Sequence, residues 1–155
     1  MDSRKLILAI NPGSTSTKIA VYNEEEQLFV KNLKHSAEEI AKYDCIADQY
    51  EFRKSIVLEE VKAAGFDIRD FKVIVGRGGL VKPISSGVWR VNDAMLEDLK
   101  KGVSGQHACN LGGLIAHDIA SSLEGVPAII ADPVVVDEMH PLARVSGHPA
   151  FPRQS

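Results

Sequence analysis

Within one short stretch, Asn11-Pro12-Gly13-Ser14-Thr15-Ser16-Thr17-Lys18, the chain gathers an amide, a glycine, a run of hydroxyls and a lysine. Groups of these types suit a phosphate. Gly13 can take positive φ and let the backbone approach an anion. The hydroxyls of Ser14, Thr15, Ser16 and Thr17, with nearby turn N–H groups, can donate to phosphate oxygens, while Asn11 adds an amide donor and Lys18 a compensating charge. Each donor alone is weak, and convergence of several on one anion is what makes such a loop specific for a polyphosphate. Pro, Gly, Ser and Asn are also ordinary turn residues, so the bland alternative is a plain hairpin turn.

Three further residues have types and places that suit chemistry. Arg77 sits in Gly76-Arg77-Gly78-Gly79, where small neighbours leave its planar fork free to meet a carboxylate or phosphate, or to brace the loop. Asp132 follows the apolar run Pro127 to Ala131, and a carboxylate at the C-terminal end of a strand faces the crevice where α/β sheets bind ligands. By itself, Asp132-Pro133 reads rather as a turn. His107 lies near an expected helix start, where backbone donors favour anions, and a lone histidine there also reads as a capping or packing residue.

The elements that must position these residues follow from periodicity. Leu6 to Ile10 and Ile19 to Tyr22 are β-prone runs flanking the hydroxyl-rich turn, which makes a hairpin and excludes a Walker A strand-to-helix loop. Gln27 to Leu33 offers a third strand with apolar Leu28, Phe29, Val30 and Leu33. Ser36 and Glu39 have capping-box spacing and start a short helix that turns Ile40 inward. A longer helix is expected from Ile46 to Ala64 with Phe52, Ile56, Val57 and Val61 as its apolar stripe, a mainly solvated polar face, and Gly65 at its end.

Lys72 to Val75 reads as a buried fourth strand. Asn92 caps a helix from Asp93 to Lys101 that Gly102 closes, and a further helix runs from Ala108 to Leu123 with Gly125 beyond. Pro127 to Ala131 is the fifth strand. The expected class is α/β: a three-strand meander, then alternating helices and strands in a mixed sheet. From Pro133 to Ser155 lie four of the seven prolines and no sustained helical period. That stretch reads as a linker or half-built element, with the chain cut short.

Composition narrows the function classes. With 18 Lys plus Arg against 21 Asp plus Glu and no basic stripe interleaved with aromatics, nucleic acid is not the expected partner. No apolar run reaches the roughly 20 residues a bilayer span needs, and Met1 to Lys5 lacks a signal-peptide layout, so a cytoplasmic protein is expected. Cys45 and Cys109 have no metal or CxxC spacing and read as unpaired packing thiols.

Four motifs in order carry a resemblance: Asn11 to Lys18, Gly76 to Leu80, Gly105 to Gly113, and Asp132 to Met139. Together they resemble the acetokinase family, and Arg77-Gly78-Gly79, where acetate kinases carry His-Gly-Gly, favours its butyrate-using branch. Asp48 to Arg53 and Arg90 to Asn92 also look like that branch.

The resemblance implies the ribonuclease-H-like fold of actin, the sugar kinases and the heat-shock chaperones, the actin-like ATPase domain. Residues 1–132 would be the N-terminal domain, and 133–155 a trailing segment leading toward a C-terminal nucleotide-binding domain. The implied activity of the whole protein is phosphoryl transfer from ATP, with Mg²⁺, to the carboxylate of butyrate or a similar short or branched acid, by a homo-oligomer; the chain alone would be inactive. By resemblance Asn11, Gly13, Ser14, Thr15, Ser16, Thr17 and Lys18 would meet the transferred phosphate, Asn11 lying near the metal. Asp132, Arg77 and His107 would be catalytic, Arg77 matching a substrate-holding arginine by region rather than by column. The alternatives are a sugar kinase of the same superfold, with Asp132 as base, and a non-catalytic phosphate- or nucleotide-binding module.

Overall fold

A computed structural model describes residues 5–153. β1 (Leu6–Pro12), β2 (Ser16–Asn23) and β3 (Glu26–Lys34) form the expected antiparallel meander. After α1 (Ala37–Ile40), a single 3-10 turn (Ile46–Gln49) runs into α2 (Tyr50–Ala63), and β4 (Phe71–Arg77) returns to pair parallel with β1. Then come β5 (Val88–Arg90), α3 (Asp93–Lys101), α4 (Asn110–Ser121) and β6 (Ala128–Ala131), which pairs parallel with β4 and antiparallel with β5. The sheet order is β3-β2-β1-β4-β6-β5.

Local signals explain most boundaries. The side chain of Asn92 accepts from the Met95 N–H at the start of α3, and Gly102 closes that helix in the left-handed conformation, φ 66°. Ser36 and Glu39 form the reciprocal capping box of α1, although Ile40 is only half-buried. β5 is the element that periodicity does not foresee. It is three residues long and exists by pairing at the sheet edge.

Leu8 and Ile10, Ile19 and Val21, Ile74, and Ile130 lie almost wholly buried beneath α2 and α4. α4 sits unusually close. A Cβ on Gly76 would fall 2.3 Å from the carbonyl of Gly112, so two glycines let helix and strand backbones touch. Lys54 of α2 pairs with Asp118 of α4 and with Glu51, tying the two helices at their outer side. One face of β3 meets the α2 side, where Phe29 packs against Phe66 and Lys31 pairs with Glu60. Leu33 is buried, whereas Leu28 and Val30 are 42% and 43% exposed.

Residues after β6 partly pack back onto the domain. Val136 bridges Ile84, the Asp137 N–H donates to the Ile84 carbonyl (2.9 Å), and Glu138 accepts from both the N–H and hydroxyl of Ser86. Arg144 pairs with Asp137 at 2.7 Å, while Leu142, Val145 and Phe151 stand exposed. No helix among the described residues is long and apolar enough to cross a membrane.

Candidate functional site

β1, β4 and β6 run parallel, so the hairpin turn, Arg77 and Asp132 follow their C-terminal ends and share one edge of the sheet. The hairpin is held from beneath by Arg53 of α2, a residue only 1% exposed. Its Nη1 donates to the carbonyls of Gly13 (2.6 Å) and Ser16 (3.0 Å), and its Nη2 to the carbonyl of Ser14 (3.1 Å). The His35 N–H donates to the carbonyl of Thr15 at 2.9 Å. All four loop carbonyls are therefore engaged on the protein side. Because a trans peptide points its N–H opposite its C=O, the N–H groups of Ser14, Thr15 and Ser16 are directed the other way. Ser14 and Thr15 are exposed, and among the described residues neither of their N–H groups has a backbone partner.

Two members of the motif differ from expectation. Thr17 is fully buried, its hydroxyl 2.8 Å from His35 Nε2 and 3.3 Å from Arg53 Nη1, so it supports the loop from within rather than facing outward. Alternation along β2 dictates this, since Thr17 shares a face with Ile19 and Val21. Gly13 keeps an ordinary φ, and a Cβ there would meet Ser16 at no closer than 3.5 Å.

On the opposite face of the sheet, Asn11, Lys18 and Arg77 meet at a concavity of ≈ 380 Å³ whose floor includes Ala9, Ala20 and Val75. Strand register explains the meeting: Asn11 pairs with Lys18, and Ile10 pairs with Gly76, which sets Arg77 beside Asn11. Arg77 is exposed and its Nη1 donates to Asn11 Oδ1 at 3.4 Å. The loop after it is locked by Asn110, a buried residue whose Oδ1 accepts from the Leu80 N–H (2.9 Å) and whose Nδ2 donates to the Gly105 carbonyl (3.0 Å).

Asp132 is exposed and takes φ 38°, a left-handed conformation that costs a non-glycine residue energy. Gly87 secures it on both sides: the Asp132 N–H donates to the Gly87 carbonyl (3.0 Å), and Asp132 Oδ1 accepts from the Gly87 N–H (2.7 Å). His107 is exposed before α4, and its Nδ1 accepts from the Cys109 N–H at 3.1 Å. That bond leaves Nε2 to carry the proton of the neutral ring. Among the described residues no hydrogen bond joins Asp132 or His107 to Arg77 or the hairpin. Burial pushes the Cys109 thiol up, which makes it a poor nucleophile, and neither cysteine is in a disulfide.

Arg53, Gln49 and Asn110 lie inside the motifs of the resemblance, yet sequence reading gives them, like His35, no role at the site. Burial first, and then the charge of Arg53, hold His35 below its usual pKa, with Glu39 opposing weakly. Gln49 Oε1 accepts from Arg53 Nη2 (2.8 Å) and Nε (3.2 Å). A signal was present: Gln49, Arg53, Val57 and Val61 recur every fourth residue along one helix face, and all are buried. No group of three or more His, Cys, Asp or Glu among the described residues could hold a metal ion. Mg²⁺ held largely by phosphate oxygens needs no such cluster, and the hard amide oxygen of Asn11 suits it.

No family model matches the chain. The chain is 56% identical over 149 residues to butyrate kinase 1 of Clostridium acetobutylicum, a match covering 96% of this chain and 42% of that protein. It is 54% identical over 149 residues to a probable butyrate kinase of Clostridium botulinum, with the same coverages. The chain thus spans 42% of the length of these relatives. Acetate kinase from Entamoeba histolytica superposes with a TM-score of 0.57 at 11% identity, over 93% of this chain and 39% of that one. Porphyromonas gingivalis acetate kinase does so with 0.57 at 13% identity, over 94% and 41%. At such identities the superpositions establish the fold alone, which is the ribonuclease-H-like, actin-like ATPase domain. The chain is thus similar along almost its whole length to part of the butyrate kinases, and it shares its fold with the acetate kinases.

Proposed function

We propose that the whole protein, at the length of its relatives, is a butyrate kinase. It transfers the γ-phosphoryl group of ATP reversibly to the carboxylate of butyrate or a similar short or branched acid, giving an acyl phosphate and ADP. The observation that carries this reading is the hairpin whose carbonyls are all turned to the protein, leaving the Ser14 and Thr15 N–H and hydroxyl groups for an anion. Identity of 56% to a butyrate kinase over the same residues supports the acceptor.

The chemistry asks little of acid–base catalysis. A carboxylate acceptor is already ionised at neutral pH, so no base has to activate it. What remains is positioning and charge neutralisation. In this reading Ser14, Thr15 and Ser16 hold the transferred phosphate, and Gly13 and Thr17 shape the loop behind them. Arg77 meets the acceptor carboxylate, Lys18 adds charge, and Asn11 holds Mg²⁺, which when bound with ATP neutralises phosphate charge. Asp132 and His107 border the crevice, Asp132 held in place by Gly87. The domain ends near residue 132, and the protein works in the cytoplasm as a homo-oligomer.

The test is hydroxylamine trapping with the kinase expressed from its complete reading frame, given ATP, magnesium and acetate, butyrate, isobutyrate or hexoses in turn. Hydroxamate from butyrate or isobutyrate, well above that from acetate, is the expected result. Folded protein that yields none with any acid would overturn the reading.

A further inference from the structure

A cation as deeply buried as Arg53 is ordinarily answered by a carboxylate, because an unpaired buried charge is costly. Among the described residues no carboxylate lies within ion-pair distance of it. Its acceptors are all neutral: the carbonyls of Gly13, Ser14 and Ser16, the hydroxyl of Thr17 and the amide of Gln49. Four of these five belong to the hairpin, so the guanidinium both fixes the loop and leaves its own charge uncancelled directly behind it. Gln49 takes the place where a carboxylate would have closed the pair.

We infer that Arg53 is a positioning residue for the phosphoryl ligand: it pins the hairpin carbonyls inward, and its charge is balanced by the anion bound on the outer side of the loop. The inference rests on the hairpin being the phosphate site. It explains why the fork is an arginine. A lysine ammonium offers three donors and could not span three carbonyls and Gln49 in one plane. It also explains why Gln49 is neutral. A glutamate there would satisfy Arg53 from within and remove the pull on an external anion.

Two variants separate this role from packing. Arg53→Met removes charge and bonds together. Gln49→Glu keeps Arg53 and its geometry but cancels the charge. In the kinase expressed from its complete reading frame, inorganic phosphate is titrated while the Ser14 and Thr15 amide resonances are followed, with urea midpoints measured in parallel. Gln49→Glu is expected to weaken phosphate binding about tenfold, the effect of one opposing charge at short range in a partly buried site, with its unfolding midpoint unchanged or raised. Arg53→Met is expected to lose about a hundredfold in hydroxamate turnover through misplacement of the loop. Should Arg53→Met fail to fold, Gln49→Glu decides alone. Phosphate affinity in folded Gln49→Glu equal to that of the parent overturns the inference while leaving the phosphate-loop reading intact. Unmoved Ser14 and Thr15 resonances in the parent overturn that reading first, and this inference with it.

Discussion

The same strands write two faces, and alternate residues obey different demands. Toward the helices point Leu8, Ile10, Ile19, Val21 and Ile74, large and fully enclosed. Away from them point Ala9, Ala20 and Val75, half-buried, giving way where β1 and β4 end and β2 begins to Asn11, Lys18 and Arg77. The covered face specifies the fold through volume. The open face trades volume for polar groups at one edge. Neighbouring residues can therefore carry opposite burdens, and Gly76 and Arg77 are the sharpest pair.

The largest expected effect is on the covered side of that pair. In Gly76→Val the new Cβ would lie 2.3 Å from the Gly112 carbonyl carbon and oxygen, and only 2.7 Å from the Gly113 nitrogen. These are backbone atoms that cannot rotate away. A loss of about 3 kcal/mol or more is expected, read as a fall in the urea midpoint of the chain. A midpoint equal to wild type would mean that α4 does not need this contact, and the contrast between faces would lose its basis.

One residue on, Arg77→Ala should do the reverse. Arg77 is exposed, and its one side-chain hydrogen bond among the described residues, to Asn11, is long. Unfolding free energy should stay within about 0.5 kcal/mol, as for surface substitutions generally. On the proposed kinase reading, hydroxamate turnover of the protein at its relatives' length should fall about a hundredfold, the scale of one lost stabilising donor. Full turnover in the folded variant would remove Arg77 from the site.

The contrast also shows what a sequence can disclose. The meander, α3 between Asn92 and Gly102, and β4 with β6 are legible because caps, β-branched runs and left-handed glycines act locally. β5 is not, since three residues show no period and their pairing with β6 lies some forty positions away. Leu28 and Val30 are apolar yet exposed, because apolar type does not say which face of a sheet the helices cover. At the site, the hydroxyl cluster advertises itself by composition, whereas Arg53 looks like one more charge on a solvated helix. Only its place on the Gln49, Val57 and Val61 face betrays it. Thr17 errs the other way, a hydroxyl inside an attractive motif whose strand parity turns it to the core.

The smallest effect tests the covered face by charge rather than by volume. His35 is 5% exposed, bonded through Nε2 to Thr17, edge-on to Phe52, and its Nδ1 has no partner among the described residues. Arg53 and Glu39 are the charged groups acting on it, and burial with Arg53 prevails, so its folded pKa lies below the 6.5 of the unfolded chain. The folded state then binds fewer protons than the unfolded state between those two values. Stability is complete above about pH 6.5 and declines as pH falls toward the folded pKa. Glu39, also lowered, through its bonds to Ser36, loses its contribution only as pH falls through the carboxylate range, a separate window. Urea midpoints between about pH 7.5 and 5.5 should therefore drop for the wild type and drop less for His35→Gln, which cannot gain a charge. Equal slopes would mean that His35 ionises in the folded chain as freely as in water. The enclosed layer beneath the hairpin would then be as open to solvent as the face that carries Lys18 and Arg77.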